Sequence, residues 1–501
     1  MGTLMADVRF GLRMLLKTPG LSLIAVGTIA LGIGLTTHTY SSLDGTVLRG
    51  LPVPDADRLV YVGERIDRLG IDQNNVPLHD YLDLQERQTV FEDLGAYGWT
   101  SFNLAGNETP PERVLGATVS ANALQVVGVP PLLGRVFGPG DDLPDAPPRI
   151  VLGYALWQNR FAGDRGLLGR TIRVNGEATE VIGVMPEGFR FPFMQVAWVP
   201  YHFDAATTPR RSAFLVVFGR RLEGVSEEAV AASLDRISRD IEAIHPEENQ
   251  DVRLYAAPYA ERDMPRQITA VMFLMLAATF GVLLIACANV ANLLLARASA
   301  RGREVAIRTA MGASRFRVMR QMLAEVLVLA LVGGALGVGL AYVGVEAFNV
   351  AILDIQKPYW IDIRLDLPAL AFALGVTLFS TVAAGIVPAL RSTGLSIGDA
   401  LRDEARGSSS LRTSRITSAL VVGEIAVSCG LLIAAGLMIR SIVNLKNTDL
   451  GFDPEHVLAG RVALPAADYP TVEERRAFFE ALKNRLEAAP GVTGVALASS
   501  L

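Results

Sequence analysis

Five apolar runs decide what this chain can fold into. They occupy residues 18–43, 267–296, 321–346, 367–390 and 416–439. The first, second and fourth contain no Asp, Glu, Lys or Arg; the third is free of them from Val326 to Val345, and only Glu424 interrupts the fifth. A bilayer core of about 30 Å is crossed by about 20 apolar helical residues rising about 1.5 Å each. Helices buried in soluble proteins seldom stay charge-free that long, so these runs read as membrane spans. The composition of 50% hydrophobic and 19% charged residues points the same way.

Lysine and arginine in the short flanks set the orientation. Arg9, Arg13 and Lys17 precede the first run, seven arginines from Arg297 to Arg320 separate the second from the third, and Arg391, Arg402, Arg406, Arg412 and Arg415 separate the fourth from the fifth. These segments (1–17, 297–320 and 391–415) are expected in the cytoplasm. The loop 347–366, which mixes Asp354, Lys357, Asp362, Arg364 and Asp366, is expected outside. A secretory signal is the alternative for the N-terminus, but its apolar run is long for a signal and no small-x-small cleavage site follows. Residues 1–17 include DVRFGLRMLLK, which can form an amphipathic helix at the interface, ended by Pro19 and Gly20.

Residues 44–266 then form a large domain outside the cytoplasm, of ordinary soluble composition. The stretch RTIRVNGEATEVIGVM alternates apolar and polar residues around Asn175-Gly176, a dipeptide favoured in tight hairpins. LEGVSEEAVAASLDRISRDIEAI shows helical spacing after Ser226, a good N-cap followed by acidic residues. The domain is therefore α+β. Trp157, Phe161, Phe189, Phe191 and Trp198 either fill its core or line a cleft. The second span, at 30 residues and about 45 Å, exceeds the bilayer and either tilts or projects toward this domain as a stalk.

After the fifth span, LKNTDLGFDPEHVLAGRVAL parallels LRGLPVPDADRLVYVGERI after the first, and TVEERRAFFEALKNRLEAAPGV follows with helical character. Residues 440–501 therefore read as the start of a second outside domain, cut short at Leu501.

The chemistry of an enzyme is not visible. Cys287 and Cys429 lie in apolar runs, the five histidines show no metal-ligand spacing, and no Gly-x-x-x-x-Gly-Lys-[Ser/Thr] phosphate cradle occurs. No catalytic, cofactor-binding or metal site is expected, and ATP hydrolysis, if used, belongs to a partner.

The passage ANVANLLLARASARGREVAIRTAMGASRFRVMRQMLAEVLVLALVGGALG carries Arg301, Glu304, Ile307, Arg308, Met311, Gly312, Ala313, Gln321, Leu323 and Glu325 in a specific pattern. It closely resembles the cytoplasmic loop and flanking spans of the MacB/FtsX-type ABC transporter permease family. RMLLKTPGLSLIAVGTIALGIG resembles that family's first span, VLGYALWQNRFAGDRGLLGRTIRVNGEATEVIGVMPEGFRFP its extracytoplasmic core domain, and GIVPALRSTGLSIGDALR the segment leaving its fourth span. The fifth span suggests the duplicated, eight-span subgroup, present here as an N-terminal fragment. The resemblance implies an α-helical integral membrane protein with a large α+β extracytoplasmic domain of the MacB periplasmic-core type.

It also implies that Glu304, Val305, Ile307, Arg308, Met311, Gly312 and Ala313 form a coupling helix docking on a cytoplasmic ABC ATPase. Arg315, Arg317 and Arg320 either share that duty or hold topology and contact anionic lipid. Glu424 is either a proton or substrate group or a hydrogen-bonding residue between helices. Gly333 and Gly337 suit close helix packing. The expected function is an ABC permease subunit in the bacterial inner membrane, transmitting motion of a separate ATPase to its outer domain for export or extraction of a substrate. The alternative is an ATPase-independent receptor or scaffold. Expected partners are the ATPase, membrane lipids and an extracytoplasmic protein, with four-span units paired as a dimer or pseudo-dimer; no nucleic acid is expected.

Overall fold

The computed structural model describes residues 19–105, 111–203, 205–264, 266–300, 315–353, 356–394, 411–447, 456–460, 462, 464, 469 and 471–498. They fall in two compact units, one drawn from 1–50, 264–356 and 360–452, the other from 51–263, 357–359 and 453–501. The expected interfacial helix of 1–17 and the coupling segment 304–313 lie outside the described residues. The chain enters with α1 (Pro19–Leu43), which runs into a π-helical turn at Asp44–Leu48.

The second unit holds the α+β domain. Its strands are β1 (Leu59–Ile66), β2 (Ile71–Asn74) and β3 (Val76–Pro77), then, after α2 (Leu78–Arg87), β4 (Phe91–Ala105) and β5 (Glu112–Val119). Helix α3 (Ala123–Val127), β6 (Leu133–Gly134), β7 (Arg149–Leu152), α4 (Tyr154–Phe161), β8 (Thr171–Val174), β9 (Glu177–Val184) and β10 (Ala197–Pro200) follow. The domain ends with β11 (Phe214–Arg221), α5 (Glu227–Ile244), β12 (Val252–Pro258) and the short helix α6 (Tyr259–Asp263). The sheet runs β12-β1-β11-β4-β5-β10-β7-β9-β6, antiparallel except where β10 meets β5 and β7 meets β9.

Strand β4 is long because it serves two cores. Its first half pairs with β11 through Tyr97, and its second half pairs with β5 from Tyr97 to Leu104. Beside the first half, Leu78, Tyr81 and Leu84 of α2 and Val230, Leu234, Ile237 and Ile241 of α5 close one core. The 4-3-4 spacing on α5 puts those four side chains on one helical face. Beside the second half, Trp157, Ile150, Val181 and Leu152 belong to the other core.

Local chemistry fixes the ends of these elements. The Ser226 hydroxyl accepts the Ala229 N–H at 3.2 Å and so caps α5. Asn175 and Gly176 adopt φ of 52° and 88° between β8 and β9, as a two-residue hairpin of this hand requires. Trp157, Phe189, Phe191 and Trp198 are buried, and Phe161 packs half-buried against the second core, so these aromatics fill the domain rather than line a cleft.

The first unit continues with α7 (Arg266–Ala300), α8 (Arg315–Ala351), α9 (Leu367–Gly394) and α10 (Leu411–Lys446). Among the described residues five helices are long and apolar enough to cross a membrane: Pro19–Leu48, Gln267–Leu295, Met322–Ala351, Leu367–Ile386 and Val421–Asn444. The helices outrun their apolar runs, so that Arg315–Arg320 are helical; backbone hydrogen bonding ends at a cap and not at the edge of the hydrocarbon. α1, α7, α8 and α9 share one core, with Ile29, Ile33, Leu283, Val290 and Leu329 at its centre. α10 meets α7 where Val427 and Leu431 approach Gly281. Farther on, α11 (Val472–Glu487) opens on a capping box of Thr471 and Glu474, and none of the described residues from 456 to 464 is in a strand.

Candidate transmission site

Glycine lets the backbones of α1 and α8 almost touch. A Cβ on Gly337 would stand 2.9 Å from the Ala30 carbonyl oxygen and 3.1 Å from the Gly34 nitrogen. One on Gly333 would stand 2.8 Å from Ile29 Cγ2, and one on Gly34 3.0 Å from the Gly337 oxygen. The same device joins α1 to α7, where a Cβ on Gly32 would meet Leu283 Cδ1 at 2.9 Å. There the Thr36 hydroxyl lies 2.8 Å from the Gly32 carbonyl of its own helix and 3.2 Å from the Thr279 carbonyl of α7. In lipid, where burial of apolar surface drives little association, close contact of this kind and side-chain hydrogen bonds hold helices together.

The exit of α1 is clasped to the segment before α9 by charge. Arg49 donates to Asp44 at 2.8 Å and Asp366 at 2.6 Å, and reaches the Asp362 carbonyl at 3.3 Å. The Asp362 N–H donates to the Gly45 carbonyl at 3.2 Å, and a side chain on Gly45 would collide with Asp362. Asn349, near the end of α8, donates to Ile363 at 2.9 Å, so α1, α8 and α9 meet at one clasp.

Glu424 is half-buried on α10. It sits three and seven residues before Val427 and Leu431, hence on the face of α10 that meets Gly281. The seven proposed coupling residues, Glu304, Val305, Ile307, Arg308, Met311, Gly312 and Ala313, lie outside the described residues.

The α+β domain holds a buried ionic network that the sequence reading did not single out. Arg211 donates to both oxygens of Glu64 at 3.0 Å and to Asp80 at 3.2 Å. Arg210 donates to Asp80 at 2.7 Å and also pairs with Asp83, while Asn249 donates to Asp80 at 2.6 Å. Glu64 and Asp80 are buried almost completely. Burial pushes the Glu64 carboxyl well above the usual carboxylate range against the pull of Arg211. One signal was present: in the strand LVYVGERI, Glu64 is a carboxylate that directly follows the run LVYVG. Nothing in the sequence places Arg211, 147 positions away, beside it.

Near α6, the Tyr259 and Tyr97 hydroxyls share a hydrogen bond of 2.9 Å inside a cluster with Phe191 and Phe218. Burial raises the pKa of both phenols, keeping them neutral. Among the described residues no group of three or more His, Cys, Asp or Glu side chains is set to hold a metal ion.

Residues 22–237 match the MacB-like periplasmic core domain, and residues 276–397 match the FtsX-like permease C-terminal domain. The chain belongs to the MacB/FtsX-type family of ABC transporter permeases. The α+β domain of this permease-family chain is thus its extracytoplasmic part, carried on a helical membrane protein. Over 267 residues it is 29% identical to the macrolide export ATP-binding/permease protein MacB 1 of Yersinia pestis, covering 51% of this chain and 38% of that protein. It is 27% identical over 263 residues to MacB of Salmonella paratyphi A, again 51% and 38%, and 27% identical over 254 residues to MacB of Chromobacterium violaceum, 49% and 37%. The chain therefore spans well under half the length of these curated relatives. The periplasmic region of MacB from Actinobacillus actinomycetemcomitans aligns with a TM-score of 0.32 at 15% identity, covering 42% of this chain and 94% of that one.

Proposed function

We propose that the chain is the permease subunit of an ABC transporter in the bacterial inner membrane, passing motion from a separate cytoplasmic ATPase to its extracytoplasmic domain for export or extraction of a substrate. The observation that carries this reading is the continuity of α7. One helix of 35 residues runs from Arg266, three residues after the last helix of the extracytoplasmic domain, to Ala300, beside the arginine-rich segment. At about 1.5 Å per residue it extends over about 50 Å, longer than the roughly 30 Å hydrocarbon core. A continuous helix is stiff along its axis, so displacement at one end reaches the other. Glu304, Val305, Ile307, Arg308, Met311, Gly312 and Ala313 form the ATPase contact, with Gly333 and Gly337 keeping α8 close to α1. Glu424 serves the α7–α10 seam as a polar contact, and four-span units pair as a dimer or pseudo-dimer.

Co-purification of the full-length protein from its native membrane tests this. An ABC ATPase is expected with the wild type and lost with Glu304→Arg combined with Met311→Glu. Recovery of no ATPase with the wild type, or unchanged recovery with the double variant, overturns the coupling proposal in favour of a receptor or scaffold.

A further inference from the structure

Helix α6 is five residues long, too short to hold itself in water, so packing must decide whether it stays formed. It is also the last element of the extracytoplasmic domain before the chain passes into α7. Displacement passed along the chain from α7 enters the domain through it. A loose α6 would absorb the displacement locally; a fixed one would hand it to the sheet.

Two attachments, one turn apart, fix it. At its first residue the Tyr259 side chain is fully buried, its hydroxyl 2.9 Å from that of Tyr97 in the middle of β4. The Tyr259 ring centroid lies 5.3 Å from that of Phe191 and 5.9 Å from that of Phe218 on β11. Phe191 is itself held, because its carbonyl accepts the Trp198 indole N–H at 2.7 Å. Three residues on, the Arg262 guanidinium sits 5.6 Å from the Tyr61 ring of β1 and 5.8 Å from the Trp99 ring of β4, and donates to Asp263 at 2.8 Å. One short helix is thereby tied to β1, β4 and β11, the strands at the centre of the first core.

We infer that Tyr259 with Tyr97, and Arg262 with Tyr61 and Trp99, form a bolt that makes α6 and the β1-β4-β11 sheet one rigid body, so that the extracytoplasmic domain follows α7. These are positioning residues that act through α7. What moves α7 rests on the transmission reading above; the bolt itself does not.

Amide hydrogen exchange on the full-length protein in lipid nanodiscs separates the two. In the wild type the Asp263 amide, the one in α6 that lies beyond the first four unpaired N–H groups, exchanges as slowly as β4 and β11. Tyr97→Phe and Tyr259→Phe each leave a buried hydroxyl without its partner and speed exchange at Asp263 by about 10- to 100-fold. The double variant exchanges no faster than the quicker single one, and β7 and β9 are unchanged. Fast exchange at Asp263 in the wild type, or no acceleration in either variant, overturns the bolt. Should a phenylalanine variant fail to fold, Arg262→Gln keeps both phenols and still accelerates exchange at Asp263; no acceleration there overturns the second attachment.

A second arm adds the co-purified ATPase with ATP and vanadate. In the wild type, exchange changes in α7 and in β1, β4 and β11 together; in Tyr259→Phe it changes in α7 alone. A domain response that survives in the variant overturns the bolt as a transmitter. No response of α7 in the wild type overturns the transmission reading instead, and the first arm still decides the bolt.

Discussion

In the membrane bundle glycines bring helices together, whereas the extracytoplasmic domain, which has tight glycines of its own at Gly134 and Gly183, adds locks made of large or charged side chains. Gly337 against Ala30 and Gly34, and Gly32 against Leu283, bring helices together backbone to backbone. The domain instead locks strands with aromatic rings around Phe191 and with the carboxylates and guanidinium groups around Asp80. The solvent explains the difference. Water rewards burial of a ring and lets charges be brought in and paired, while lipid gives no reward for hiding one apolar chain against another. Close approach at glycine serves both regions, and rings and buried charges are the device the domain adds.

The sharpest way to break this contrast is on the domain side. Arg211→Ala leaves Glu64 and Asp80, both buried, without the cation that joins them. Loss of one partner from a buried ion pair costs about 3–5 kcal/mol. The expected result is a large drop in the unfolding midpoint of the domain, followed by tryptophan fluorescence of the full chain. The pH dependence has a definite sign. The folded-state pKa of Glu64 is raised above its ordinary value, so the folded state binds the proton more tightly than the unfolded one. Its contribution therefore declines as pH rises from the ordinary carboxylate range through the folded value. The variant should recover part of its stability on acidification into that window, and a loss that grows with acidification would contradict the assignment.

On the bundle side, Gly337→Leu places a side chain where Ala30 and Gly34 backbone atoms stand, with about 1–3 kcal/mol of overpacking expected. Gly339→Leu, two residues along the same helix, meets nothing within 4 Å and should be neutral. Thermal unfolding and size-exclusion behaviour in detergent distinguish the pair. Equal effects from both would mean that α1 and α8 are not held by close approach.

The Arg49 clasp tests the contrast from between, since it is a charged device on the membrane unit. It lies beyond the apolar part of α1 and is partly exposed, with 26% of the Arg49 side chain accessible. If solvent decides which device is used, Arg49→Gln should behave as a screened surface cluster, costing about 1 kcal/mol or less and losing its effect at high salt. A loss of several kcal/mol insensitive to salt would show that the clasp is buried in function and that the division by solvent fails there.

What could be read from the sequence follows the range of the forces involved. The spans were legible because a bilayer imposes a length and an absence of charge on consecutive residues. The Asn175-Gly176 hairpin was legible because the requirement for positive φ sits in two neighbours. The parallel meetings of β10 with β5 and of β7 with β9 were not, since each joins segments separated by other strands and nothing in either run names its partner. The Glu64 network was hidden for the same reason, with β1, α2, the segment before β11 and Asn249 each supplying one part. The aromatic residues were half-legible: their identity marked them as packing material, but only the fold shows that Phe191 and Trp198 face inward together with Tyr97 and Tyr259.

The smallest expected effect probes the most local of these readings. Ser226 carries an extended backbone before α5, and its hydroxyl accepts the Ala229 N–H, one of the four N–H groups that an α-helix leaves without an internal partner. Glu227 and Glu228 follow, placing negative charge at the positive end of the helix dipole, and hydrogen bonds from Glu228's own backbone N–H and then from Ser226 hold the Glu228 carboxyl below its ordinary range. Ser226→Ala removes the cap and no packing, because the residue sits at the surface ahead of the buried Val230, so about 1 kcal/mol is expected. Ser226→Asp keeps an acceptor in the same place and should restore most of that loss, whereas Ser226→Gly should cost only a few tenths of a kcal/mol. Exchange rates at Ala229 and Val230, compared across the three variants, read the cap directly. If alanine and aspartate behaved alike, α5 would be held by its Val230-Leu234-Ile237-Ile241 face alone, and the domain would depend on long-range packing even where its sequence offers a local signal.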